Sequence, residues 1–126
     1  MSSDTAAAAV VVNVKVAYLR PRYSNLADWI ADCERNAYIG RGGVLFIDGK
    51  RYPSRSSLWA NPFKVDARTT RAQVLQRYES YITARIAEQP ETYDLESLRG
   101  KRLGCWCKPE ACHGDVLLRL LLREKK

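Results

Sequence analysis

The sequence predicts a compact single-domain α/β fold, a three-layer arrangement of sheet and helices with one β-hairpin excursion. Three stretches carry that prediction. Val10 to Leu19 is an apolar, β-branched run without simple alternation, as in a strand covered on both faces. Thr70, with Gln73 three residues on, forms a capping box ahead of an amphipathic run from Arg71 to Glu88. Leu103 to Trp106 reads as a second buried strand, followed through a short loop by the leucine-rich helix Val116 to Arg123. Strands separated by helices, with the last strand feeding a helix, are the pattern of a layered α/β sheet.

The chain has 126 residues, enough to bury a core without metal or disulfide support. Residues 1–8 read as a flexible lead-in and 9–126 as the domain. Pro21 ends the first strand because proline cannot donate to a ladder. Ser24 or Asn25 caps a helix over Leu26 to Arg35, where Leu26, Trp29, Ile30 and Cys33 form one apolar stripe. Cys33 is therefore expected to be a small core residue. Val44 to Ile47 and Lys50 to Tyr52 flank Asp48-Gly49, a two-residue hairpin signal. Leu58 to Phe63 is a rigid turn segment, and its Trp59, like Tyr38, is expected to pack in the core, the alternative being to stack on a base.

Within the helix at 71–88, Val74, Leu75, Tyr78, Tyr81, Ile82 and Ile86 share a face, and Pro90 stops it. A short helix from Tyr93 to Arg99 closes on Gly100, placed for a left-handed residue. In the final helix Arg119, Arg123, Lys125 and Lys126 complement the C-terminal dipole.

Net charge is +7, and residues 99–126 hold 8 basic side chains against 3 acidic ones. Such a balance favours polyanions or phosphorylated small molecules, and equally serves solubility. Ala6 to Val12 is apolar but too short to span a membrane, and it follows Asp4 rather than a basic segment. Four cysteines without a secretory leader imply free thiols in a reducing compartment. That compartment is the cytoplasm, or a host's cytoplasm or nucleus for a viral chain.

Cys105, Cys107, Cys112 and the only histidine, His113, fall within nine residues. In open α/β sheets ligands collect beyond the carboxyl ends of strands, where helix N-termini offer unpaired N–H groups. Gly114 would let a ligand approach the backbone, and Cys112 would border it. His113 then reads as an acid/base group or an anion contact, with Asp115 either orienting it or capping the helix. Cys107 or Cys112 is a candidate nucleophile, since a thiol near a histidine and a helix start has a lowered pKa, the other reading being packing beside a ligand loop. Arg41 and Gly42, in Gly40-Arg41-Gly42-Gly43, suit a phosphate gripped bidentately. Asn61 before Pro62 either reads a base or amide edge or forms a turn.

Zinc on the cysteines and His113 is a weaker fit. The spacing is C-x-C-x4-C-H rather than paired C-x2-C. A regular strand would hold residues 105 and 107 about 6.6 Å apart, whereas two thiolates on one zinc come within roughly 4 Å. The same geometry misplaces a disulfide between them. No cofactor signature is present, so none is expected.

The segments Tyr38-Ile39-Gly40-Arg41, Asn61-Pro62-Phe63, Arg71 with Tyr78, Leu98 to Pro109 with its Cys-Trp-Cys, and Cys112 to Leu117 occur in order. Together they resemble the domain of unknown function family 4326, over about Val12 to Leu122. Members of that family occur in phage, large DNA viruses and bacteria, and the resemblance implies a small α/β fold similar to Rossmann-like nucleotide-handling domains. It implies no activity. The helix at 24–35 looks like an insertion, and Ala60 stands where the family usually has glycine before Asn-Pro-Phe.

The expected function is binding of a nucleotide or other phosphorylated ligand by Arg41, Asn61 and the 107–115 loop. Any chemistry there would be hydrolysis or transfer at a phosphoryl or N-glycosidic bond. Two alternatives are a basic nucleic-acid-binding accessory domain and a zinc-stabilised interaction module.

Overall fold

The computed structural model describes residues 9–107 and 110–124. Its strands and helices mix along the chain. Strand β1 (Val10–Asn13) leads to a one-turn helix α1 (Val16–Leu19), helix α2 (Leu26–Ala31) and strand β2 (Asn36–Tyr38). A hairpin of β3 (Leu45–Ile47) and β4 (Lys50–Tyr52) follows, then the long helix α3 (Arg71–Glu88). A 3₁₀ turn (Leu95–Leu98), strand β5 (Arg102–Cys105) and helix α4 (His113–Glu124) complete it.

Two small sheets form. One is parallel, ordered β1-β5-β2, and the hairpin makes its own two-stranded sheet. The last strand thus lies at the centre. Its Leu103 pairs with Val11 on one side and Ala37 on the other, and Gly104 with Val12 and Tyr38. Because side chains alternate across a strand, Leu103 and Cys105 enter a cluster with Ile39, just past β2, and with Tyr78, Ile82, Val116 and Leu117 from α3 and α4. Gly104 turns the opposite way, toward Val14 and Trp29. A methyl group there would lie 2.5 Å from the Trp29 ring, so only glycine lets α2 sit this close to the sheet.

Local chemistry explains the best-read elements. Thr70 accepts the Gln73 N–H at 3.1 Å, and the Gln73 side chain accepts the Thr70 N–H at 2.9 Å, so the capping box is closed. Val74, Tyr78 and Ile82 are fully buried along that helix. Asp48 and Gly49 both take positive φ, as a two-residue turn that matches strand twist requires. Gly100 adopts φ 79°.

Other boundaries differ from the sequence reading. The first strand stops at Asn13, whose side-chain oxygen accepts the Lys15 N–H at 2.8 Å and turns the chain into α1. Helix α2 ends at Ala31, four residues early, so Cys33 lies past its C-cap and is exposed rather than in the core. The chain is diverted there because Asp32 is held by the Tyr23 hydroxyl, which donates to it at 2.7 Å. The helix expected over 93–99 contracts to the 3₁₀ turn, and α4 starts three residues before Val116, at His113. Strand β5 releases the chain one residue before Trp106. Strand β2 carries no sequence signal of its own, having only three residues, the first a buried asparagine, shortly before Gly40. The expected lead-in at 1–8, with Lys108, Pro109, Lys125 and Lys126, lies outside the described residues. Among the described residues no helix is long and apolar enough to cross a membrane.

Candidate functional site

Strands β2 and β5 end side by side, and the chain beyond each bends over a shared hollow. Tyr38, last in β2, folds its ring against Gly40, where a Cβ would come within 2.6 Å of the hydroxyl. That hydroxyl donates to the Arg41 carbonyl at 2.6 Å and accepts the Trp106 indole N–H at 2.8 Å. The two strand ends are thus tied by one hydrogen-bonded chain. Burial raises the Tyr38 pKa, the Trp106 hydrogen bond opposing it, so the phenol stays a donor.

Arg41 crosses to the Asn61–Phe63 turn. Its Nε and Nη2 donate to the Asn61 carbonyl at 3.2 and 2.9 Å, and Nη2 also reaches the Phe63 carbonyl at 3.1 Å. Asn61 forms the turn itself, its side-chain oxygen accepting the Phe63 N–H at 2.9 Å. Arg71, the first residue of α3, donates to Glu110 at 2.9 Å and to the Ala111 carbonyl at 3.2 Å. It pins the loop that leads into α4.

His113 opens α4 and is only 8% exposed. Its Nε2 lies 2.6 Å from the Ile39 carbonyl, so Nε2 carries the proton and donates. Desolvation lowers its pKa, with the Ile39 carbonyl and the charge of Cys107 opposing. The ring is therefore neutral, its lone pair at Nδ1. Its edge meets Tyr78 at 5.1 Å between centroids.

The three clustered cysteines gather at the same point. Cys105 and Cys112 are buried with their sulfurs 3.1 Å apart. The Gly114 N–H also donates to the Cys112 sulfur at 3.3 Å. Cys107 is half-buried, and its pKa is pushed down by hydrogen bonds from Cys105 and Cys112, with Arg71 adding to the effect against desolvation. Cys112 moves upward, its proton shared with Cys105 and then Cys107. Among the described residues no group of three or more histidine, cysteine, aspartate or glutamate side chains is placed to hold a metal ion.

Together these elements enclose a cavity of about 530 Å³ at the carboxyl ends of β2 and β5. Arg41, Asn61, Cys107, Cys112 and His113, all read from the sequence, line it. Gly42, Gly114 and Asp115 do not. Gly42 is needed for packing, since a Cβ there would meet the Arg55 backbone at 2.4 Å. Gly114 lets α4 press on β1, where a Cβ would come within 2.8 Å of Val11. Asp115 reaches back to the Cys112 N–H at 3.1 Å and caps the helix. Sequence reasoning did not place Lys64, Arg71, Trp106 or Cys105 on the wall. Arg71 had a visible signal, a cation at the first position of a strongly capped helix.

A family model described as Domain of unknown function (DUF4326) matches residues 25–123. The chain belongs to that family. The match takes in α2, read above as an insertion, and leaves β1 outside. The chain is also 35% identical over 69 residues to a phage T4 protein described as "Uncharacterized 12.4 kDa protein in nrdA-td intergenic region". That alignment covers 55% of this chain and 64% of the phage protein. No solved structure matches.

Proposed function

We propose that this DUF4326 protein binds a nucleotide or another phosphorylated small molecule in the cavity beyond β2 and β5. The observation that carries the reading is the composition of that wall: Arg41, Lys64 and Arg71 share it with Val44, Phe63 and Val65. Cations serve a phosphate and an apolar side serves a base or sugar face, and the volume suits a ligand of that size. The position, beyond the carboxyl ends of parallel strands, is where ligands collect in a Rossmann-like three-layer sheet, which is how we read the small β1-β5-β2 sheet.

If the site is catalytic, hydrolysis or transfer at a phosphoryl or N-glycosidic bond suits it. Arg41 would hold anionic charge, the His113 Nδ1 would accept a proton, and Asp115 would act only by seating the His113 turn. The alternative is a nucleic-acid surface along the basic C-terminal segment, whose arginines are engaged within the protein as Arg41 and Arg71 are. Arg119 and Arg123 both pair with Glu79, Arg99 pairs with Glu96, and Arg102 is occupied by Asn36 and Tyr23.

The test is a thermal-shift screen against nucleoside mono-, di- and triphosphates, sugar phosphates and inorganic phosphate, followed by calorimetry. A subset should stabilise the protein. Lys64→Ala, at an exposed position on the cavity wall, should weaken that binding several-fold. Arg41→Lys keeps the charge but loses the forked contact, so it should weaken binding and stability together. No shift with any compound, or shifts untouched by both variants, would refute the assignment. Binding that ignores nucleotide identity and falls steeply with salt would favour the nucleic-acid reading.

A further inference from the structure

We propose that Cys105 and Cys112 form an oxidisable thiol pair, already placed to close into an intramolecular disulfide when hydrogen peroxide enters the cavity. This goes beyond the ligand-binding reading and does not depend on it. The two sulfurs lie 3.1 Å apart, only about 1 Å beyond the length of a disulfide bond. The fold fixes both ends of the pair. Cys105 is the last residue of β5, registered against Asn13 of β1. Cys112 directly precedes α4, where its N–H donates to the Asp115 carboxylate at 3.1 Å and its carbonyl accepts the Asp115 N–H at 2.9 Å. The Gly114 N–H, in the first turn of α4, donates to the Cys112 sulfur at 3.3 Å and holds it in place. Both cysteines are 1% exposed, yet both line the cavity beyond β2 and β5, which gives a small oxidant its way in.

The chemistry has two steps, and its balance is the same whichever sulfur reacts first. That sulfur attacks one peroxide oxygen, forming an S–O bond as the O–O bond breaks. Its thiol proton leaves with the departing hydroxide as water, and a sulfenic acid remains. The second sulfur then attacks the first, the S–S bond forms and the S–O bond breaks. The second thiol proton leaves with the hydroxyl group as another water. Two thiols are oxidised by two electrons and the peroxide is reduced by two. The hydrogen bond with Cys105 keeps the Cys112 proton on at neutral pH, so the pair rests as two thiols until an oxidant arrives. The product ties the end of the central strand to the start of α4, between residues seven apart in sequence. Closing that loop restricts the unfolded chain, so oxidation stabilises the fold.

Cys33, exposed past the end of α2, would compete for the oxidant. The full chain is therefore used as Cys33→Ser, which keeps Cys105, Cys107 and Cys112 as its cysteines and leaves the cavity wall untouched. The reduced protein is taken to plateau with equimolar hydrogen peroxide, alkylated under denaturing conditions and mapped by peptide mass spectrometry. A peptide pair joining Cys105 to Cys112 should be the main product, with Cys107 alkylated, and dithiothreitol should restore all three thiols. Oxidation should raise Tm by roughly 5–10 °C, and reduction should reverse the rise. Adding Cys107→Ala to the same chain should leave the bond intact. A bond from Cys107 to either neighbour, oxidation confined to Cys107, or three thiols still open to alkylation would overturn the proposal. So would an unchanged or lower Tm, because sulfurs already placed to bond need no distortion of the fold.

Discussion

Gly104→Ala adds one methyl group at the centre of the parallel sheet. Its carbon would lie 2.5 and 2.7 Å from two atoms of the Trp29 ring and 2.6 Å from a Val14 methyl. Carbon atoms in contact prefer about 3.5–4.0 Å, so roughly 1 Å must be found by moving a ring or a strand. Strand β5 cannot move freely, being bonded to β1 on one side and β2 on the other. Trp29 is fully buried, and its carbonyl holds the Asn36 side chain at 2.8 Å. Overpacking of this kind costs about 1–3 kcal/mol, offset by about 0.4–1 kcal/mol from the stiffer unfolded chain.

The expected net loss is about 1.3 kcal/mol, which lowers Tm by roughly 5 °C in a domain of this size. Urea unfolding followed by far-UV circular dichroism measures it. Trp29→Leu in the same background should recover at least about 1 kcal/mol of the loss, because the two positions touch. A neutral Gly104→Ala, or strictly additive losses in the double variant, would mean that α2 does not cover this face of the sheet.

Acidification should weaken the fold through His113. Burial lowers its pKa, so the unfolded chain takes up a proton as pH falls below about 6.5 while the folded imidazole resists. Stability is therefore full above that value and declines toward the lower folded pKa, and urea midpoints between pH 7 and 5 should flatten in His113→Gln. Asn36→Ala should cost about 2 kcal/mol, because it strips partners from the Trp29 carbonyl and the Arg102 guanidinium, and thermal unfolding will read it. Asp115→Ala should cost about 1 kcal/mol as a lost cap, with ligand affinity at the cavity left unchanged in calorimetry.

The elements legible in the chain are those written in local chemistry. Thr70 and Gln73 close on each other within one turn, and Asp48-Gly49 reverses the chain with its own two residues. Helix α3 follows because its apolar face repeats over 18 residues. Arg41 and the Cys/His loop could be singled out because glycine-flanked arginine and clustered thiols are uncommon side-chain choices that chemistry explains. Cys33 misled because the stripe spacing continues past the point where Tyr23, nine residues earlier, takes hold of Asp32.

By itself, then, the sequence determined the capped helix, the hairpin, the two valine- and leucine-bearing strands and the residue types at the candidate site. Only the tertiary structure decided that β5 lies between β1 and β2, that Arg41 is held by carbonyls 20 and 22 residues away, and that the Cys105 and Cys112 sulfurs meet. Each depends on partners distant in sequence. Gly114 shows the difference most plainly: glycine before a helix suggests room for a ligand, and what fills that room is Val11.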